Sequence, residues 1–178
     1  AIPDFGMNRR KFLLTAVGAP LAVAFGTKVV AMARHYPLDE LLVQLKRLPA
    51  AKLTSHGNWS VSKVFQHLAQ SIRYSRLGYP QAKSALFQYT AGAAALNVFS
   101  ASGTMSHPLD EPIPGAAKLV DAVPNDVAMA ELVTEIELFI AWQGDLAPHF
   151  AYGNLTKAQY YSAHYLHVQN HLQEITLS

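Results

Sequence analysis

Apolar residues in this chain return at every third or fourth position and nowhere alternate in a convincing strand pattern, so its core has to be built from helices. Leu38, Leu41, Leu42 and Leu45 follow Pro37 at i, i+3, i+4 and i+7, which predicts a helix from Pro37 to about Leu48. Val61, Val64, Phe65, Leu68 and Ile72 share one face of a second helix over about 60–77. Asn58 and Ser60 offer its caps, and Gly78 and Pro80 end it. A third helix is expected over about 81–100, where the small residues of "AGAAALNVF" suit close packing. Asp126 opens a fourth to about Leu146, and Thr156 caps a fifth from about Lys157 to Ile175. No strand is predicted. The expected fold is an all-α bundle of four main helices with one extra leading helix. At 178 residues the chain is long enough to bury a sizeable core as one domain.

Between the third and fourth helices the pattern dissolves. "SGTMSHPLDEPIPGAAKLVDAVPN", residues 102–125, is rich in proline and too long for a simple turn. Such a segment either crosses over between bundle halves or covers a site and shapes access to it. The sequons Asn58-Trp59-Ser60 and Asn154-Leu155-Thr156 fall where helix caps belong, and capping explains them better than glycosylation.

Residues 7–33 have three parts in a recognisable order. Arg9 and Arg10 form a twin-arginine pair, a mild apolar run follows from Phe12 to about Gly26, and Ala31 and Ala33 stand at small–x–small spacing before Arg34. That order predicts an export signal of the twin-arginine type over residues 1–33, a periplasmic location, and a mature domain over 34–178. An ordinary N-terminal helix is the alternative. Residues 1–6 stand before Met7, which reads as an initiator. Pro20 and Lys28 interrupt the run, so no stable transmembrane span is expected. Because the formal net charge is only +2 and several positive residues lie in the first 34, no basic stripe is left for nucleic acid. The absence of cysteine excludes disulfides, thiolate metal sites and a cysteine nucleophile.

Three of the eight histidines crowd into "HYLHVQNH". His167 and His171, four apart on a helix, project from one face one turn apart, the spacing at which two imidazoles grip one ion. His164 falls on the same stripe. Two ligands are an incomplete site. The candidate third is His67, on the apolar side of its helix between Phe65 and Leu68, where an unpartnered imidazole is costly to bury. Spacing alone leaves open that His67 is a core histidine bonded to a carbonyl and that the His-x-x-x-His pair is free of metal. Gln70, Glu174, His164 and His149 are candidates for positions around the ligands, with surface solvation the alternative for Glu174. His149 and His107 fall in loops near the bundle's mouth. Trp59 and Trp142 read as core or cap residues, and His35 and His56 carry no signal.

The same stretches resemble a known family. "WSVSKVFQHLAQSIRYSRLGYP" is similar to the second-helix signature of the DinB/YfiT-like superfamily, and especially to a branch catalogued as a domain of unknown function. "HFAYGNLTKAQYYSAHYLHVQNHLQE" resembles that branch's last segment. The resemblance covers most of residues 35–178. It implies a four-helix bundle of up-down-down-up type with a divalent metal held by three histidines, which fall here on His67, His167 and His171. The chain departs from the branch at Asn170, where a second histidine is common, and at Phe150, where a proline is expected; neither position is an implied ligand. Neutral imidazoles suit Zn²⁺, Ni²⁺, Fe²⁺ or Cu²⁺. Related members imply a metal-dependent thiol transferase or a hydrolase acting on a small-molecule substrate. A metal- or small-molecule-binding bundle without turnover is the alternative, and a helix-mediated homodimer a third. Metal binding is expected to weaken as pH falls through about 6–7, where free imidazoles take up protons.

Overall fold

Each predicted helix has a counterpart in the computed structural model, which describes residues 34–178; the expected export signal over 1–33 and its cleavage lie outside these described residues. The elements are α1 (Leu38–Arg47), β1 (Leu53–Ser55), α2 (Val61–Leu77), α3 (Ala85–Phe87), α4 (Ala93–Ser102), α5 (Asn125–Ala141), α6 (Lys157–Leu172) and β2 (Ile175–Leu177). Among them α3 and α4 are one rod, joined through a π turn at Gln88–Gly92. The architecture is mostly helical and compatible with a helical bundle. No helix among the described residues is long and apolar enough to cross a membrane.

Local chemistry sets most of the boundaries. The Ser60 hydroxyl accepts the Lys63 N–H and opens α2, and Thr156 makes a reciprocal capping box with Gln159 at the start of α6. Gly78 at φ 97° and Gly103 at φ 79° end α2 and α4 in backbone that other residues enter at a cost. The fourth predicted helix stops at Ala141 rather than Leu146. Trp142 is extended there, and its indole N–H donates to the Asp145 carbonyl, 3.0 Å away, building a turn instead.

The all-α expectation needs one correction. β1 and β2 pair antiparallel with Leu53 opposite Leu177, Thr54 opposite Thr176 and Ser55 opposite Ile175. Consequently α6 ends at Leu172, and Ile175 belongs to a strand rather than to the helix. Three residues per strand are too few for an alternation to be legible, and the pairing joins positions more than a hundred residues apart.

The third predicted helix is also more irregular than its sequence suggests. At Gly92 an added Cβ would stand 1.9 Å from the Ala151 carbonyl oxygen, so the rod touches the 147–153 turn backbone to backbone. The Gln88 amide donates to the Phe150 carbonyl at 3.1 Å, and the Lys83 N–H donates to the same oxygen at 2.9 Å.

α2 packs along α5, α1 crosses α5 and α6, and α4 lies on α6. Their shared core includes Leu41 and Leu45 of α1, Phe65, Leu68 and Ile72 of α2, Leu132, Ile136 and Phe139 of α5, and Tyr160 and Val168 of α6. The buried residues of α1 and α2 include every apolar position assigned from the spacing. An ion-pair cluster fastens the α2–α5 seam. Arg73 reaches Glu131 at 2.6 Å and Glu135 at 2.8 Å, while Arg76 pairs with the second oxygen of Glu135.

The Pro-rich segment forms a strap between α4 and α5 that is tied to α2. Gln66 exchanges two hydrogen bonds with the Val120 backbone, 2.8 and 3.2 Å long. The Asn58 amide donates to Asp110 at 2.8 Å, and Asp121 takes a bond from the Ser60 hydroxyl at 2.8 Å and pairs with Lys63 at 2.6 Å. Met105, Ile113 and Leu119 are the buried apolar anchors of the strap.

Glu135→Ala removes the carboxylate that Arg73 and Arg76 share, leaving Arg76, with a side chain only 7 % exposed, short of its counter-charge. The expected loss is about 3–5 kcal/mol in urea unfolding; a loss below about 1 kcal/mol would show that the cluster does not hold the seam.

Candidate metal centre

Two helices bring the three histidines together. His67 sits on the buried face of α2, 3 % exposed, while α6 presents half-buried His167 and, one turn later, wholly buried His171. One ring nitrogen from each lies within 4.8 Å of the other two. His67 Nε2 and His167 Nε2 stand 3.2 Å apart. Ring centroids stand 5.1 Å apart for His67–His167, 4.9 Å for His67–His171 and 4.8 Å for His167–His171. Trp59, in the turn before α2, covers the group, stacked nearly parallel to His171 and edge-on to His67.

Two accounts of this cluster compete. In the first, His67 and His167 share an N–H···N hydrogen bond and no ion is involved. That leaves His67 Nδ1 and both nitrogens of His171 buried without any partner, at a cost of about 1–3 kcal/mol for each unsatisfied group. In the second, one nitrogen of each ring faces a common cation, which gives His171 a partner it otherwise lacks. Imidazole nitrogens about 2.0–2.1 Å from a tetrahedral Zn²⁺ lie about 3.3 Å from one another, close to the 3.2 Å between His67 Nε2 and His167 Nε2. The donor set therefore fits a divalent ion.

Electrostatics puts the rings in the protonation state that coordination requires. Burial, and then the charge His107 would carry, push His67 down to about 3. Burial, followed by His67 and His107, lowers His171 to about 2. His167 is held well below the ordinary histidine range by burial and by the surrounding histidines, His171 first. All three rings are thus neutral at pH 7, the state in which imidazole coordinates metal.

The neighbours expected from sequence go to varied places. His164 is buried one turn before His167, edge-on to Phe139 at 4.7 Å and stacked over Tyr160, and its pKa falls to about 3 through burial. The Gln70 amide donates to the Ala117 carbonyl at 2.9 Å, so it ties down the strap. Glu174 lies beyond the end of α6, its carboxylate against Gly57, where a Cβ would come within 2.2 Å of it. His149 Nδ1 accepts the N–H groups of Ala151 and Tyr152 at 3.1 and 3.3 Å, which fixes a tight turn and leaves the ring proton on Nε2. His107, by contrast, comes from the strap to stand beside His167 and His171. The sequence places it, with His149, in a loop near the bundle's mouth, without assigning it to the metal group. Trp59 carried no sign of its place over the site beyond its position just before the helix cap.

A cavity of about 260 Å³ opens from the histidines. His67 and His167 stand in its wall beside Phe99, Met105, Ile113 and Phe150, so it is mainly apolar with a few convergent polar groups, as small-molecule sites are. His149 and His164 also line it, and exposed Lys83 and Glu111 are its charged residues. Among the described residues, no carboxylate is hydrogen-bonded or ion-paired to the three clustered rings.

A family model described as "Protein of unknown function (DUF1569)" matches residues 32–178, most of the chain, which therefore belongs to that family. No curated protein and no solved structure matches it.

The depressed pKa values revise the pH expectation. Unfolded histidines titrate near 6.5, whereas His67, His164 and His171 in the folded chain titrate at about 3, 3 and 2. Below pH 6.5 the unfolded chain binds protons that the folded one refuses. Their contribution to stability is complete above 6.5 and is lost as pH falls toward 3, each ring costing about 1.4 kcal/mol per pH unit in that window. Thermal unfolding of metal-free protein is expected to show a melting temperature that drops steadily from pH 7 to pH 4; a flat profile contradicts the buried, neutral site. Proton competition with metal then begins well below the 6–7 range expected for free imidazoles.

Proposed function

We propose that this member of the DUF1569 family binds one divalent transition ion (zinc, nickel or iron) on His67, His167 and His171 and receives a small, largely apolar substrate in the adjoining cavity, as a metal-dependent thiol transferase or hydrolase. The observation that carries the reading is the convergence of one nitrogen from each of three neutral rings within 4.8 Å, with His67 Nε2 and His167 Nε2 at 3.2 Å and neither nitrogen of buried His171 paired with anything else. The DinB-type arrangement of the bundle belongs to the same proposal and rests on the resemblance of the second and last helices. So does a periplasmic location, which rests on the twin-arginine pattern at Arg9 and Arg10. That route carries folded proteins, often with their cofactor in place.

Held by three neutral imidazoles, an ion would keep its full charge and would lower the pKa of a thiol or a water bound to it. The protein's own part is positional. α2 and α6 hold the rings, Trp59 excludes water from one side, and the apolar walls favour an uncharged substrate body with its reacting group toward His67 and His167. Binding without turnover is the second reading. The lack of a carboxylate bonded to the three rings favours it, because Glu111, the acid that lines the cavity, is exposed.

Elemental analysis of protein purified without a histidine tag is expected to give about one transition ion per chain, falling below a tenth of that in His171→Ala. Stoichiometry unchanged by the substitution overturns the site. For the metal-loaded protein, His67→Ala abolishes conversion of thiol, ester or amide substrates under the enzymatic reading. Under the second reading it lowers only metal content and melting temperature.

A further inference from the structure

A fourth histidine stands at that ring spacing from two of the three, His167 and His171, though its nitrogens lie outside the 4.8 Å group that the triad forms. The ring centroid of His107 is 5.0 Å from that of His167 and 5.3 Å from that of His171, against 4.8 to 5.1 Å within the triad itself. Its tautomer follows from its neighbour. His107 Nδ1 lies 2.8 Å from the Pro108 carbonyl oxygen, and because a carbonyl can only accept, Nδ1 carries the hydrogen. Nε2 then carries the lone pair. That Nε2 is buried and has no hydrogen-bond partner. A carbonyl bonded to one ring nitrogen is also the usual device that orients a metal-binding histidine and frees the other nitrogen for the ion.

The strap holds His107 there from both sides. Met105, two residues earlier, is buried, and Asp110, three residues later, takes the Asn58 amide bond at 2.8 Å. Further along, Gln66 and Gln70 tie Ala117 and Val120 to α2, the helix that carries His67.

Building on the three-histidine reading, we propose that His107 Nε2 is a fourth protein ligand, so that the divalent ion is held by imidazoles from α2, α6 and the Pro-rich strap. Four nitrogens complete a tetrahedral shell. Substrate then gains access to the ion only by displacing the strap histidine or by expanding the shell. Since Met105 and Ile113 of the same strap line the cavity, occupancy of the ion and the shape of the cavity are linked through one segment.

The test uses the full chain without a tag, loaded with Co²⁺ alone. X-ray absorption is expected to count four imidazoles in the wild type and three in His107→Ala, with a Co²⁺ dissociation constant at least tenfold higher in the variant. Co²⁺ should also slow proteolytic cleavage within residues 104–124 of the wild type and not of the variant. Three imidazoles in the wild type, or identical counts and affinities in the two proteins, overturns the fourth ligand and leaves the three-histidine centre standing. A wild type that takes up no Co²⁺ removes both. The wild-type count decides the question even if the variant fails to fold.

Discussion

A buried ring nitrogen with no partner is expensive, and the middle of this protein contains several side by side. His67 Nδ1 and both nitrogens of His171 are buried and unpaired, and five of the seven such side-chain atoms among the described residues are histidine nitrogens, the other two being Arg76 Nε and Asn170 Nδ2. Ser60 and Thr156 cap their helices, Tyr160 donates to the Ala147 carbonyl, and Gln66 uses both ends of its amide on Val120. Against that background the histidine cluster is a local exception, and exceptions of this kind concentrate at functional sites. A shared cation resolves the triad's convergence at one point.

The surrounding structure reads as what is needed to keep that exception stable. α2 contributes His67 from the face that also supplies Phe65, Leu68 and Ile72 to the core, so the imidazole cannot swing out without exposing apolar surface. The Arg73, Arg76, Glu131 and Glu135 cluster fixes the opposite edge of the same helix against α5. The β1–β2 pairing fastens the chain just beyond His171 to the approach to α2. Thus both metal-bearing helices are restrained near the site, as preorganised ligands must be.

Helical spacing made the helices and the inward face of His67 legible, because periodicity over ten or more residues averages out local noise. The His167–His171 pair was legible for the same reason: four residues on a helix fix a relative position without any tertiary knowledge. What escaped depends on long-range contact. The three-residue strands, the π turn at Gly92 against Ala151 and the contact of the loop residue His107 with His167 and His171 all arise from segments far apart in sequence. Gln70 and Glu174 show the complementary failure. Each lies within one turn of a ligand, but the strap claims the first, and the end of α6 carries the second toward Gly57.

Anomalous diffraction from crystals of the metal-loaded protein tests the central claim most directly. The account predicts one strong peak in the interior, about 2.0–2.2 Å from a nitrogen of each of His67, His167 and His171. A map with no peak between those rings, or with the rings bonded only to one another and to water, would contradict it and leave a helical scaffold with an unexplained cluster of histidines.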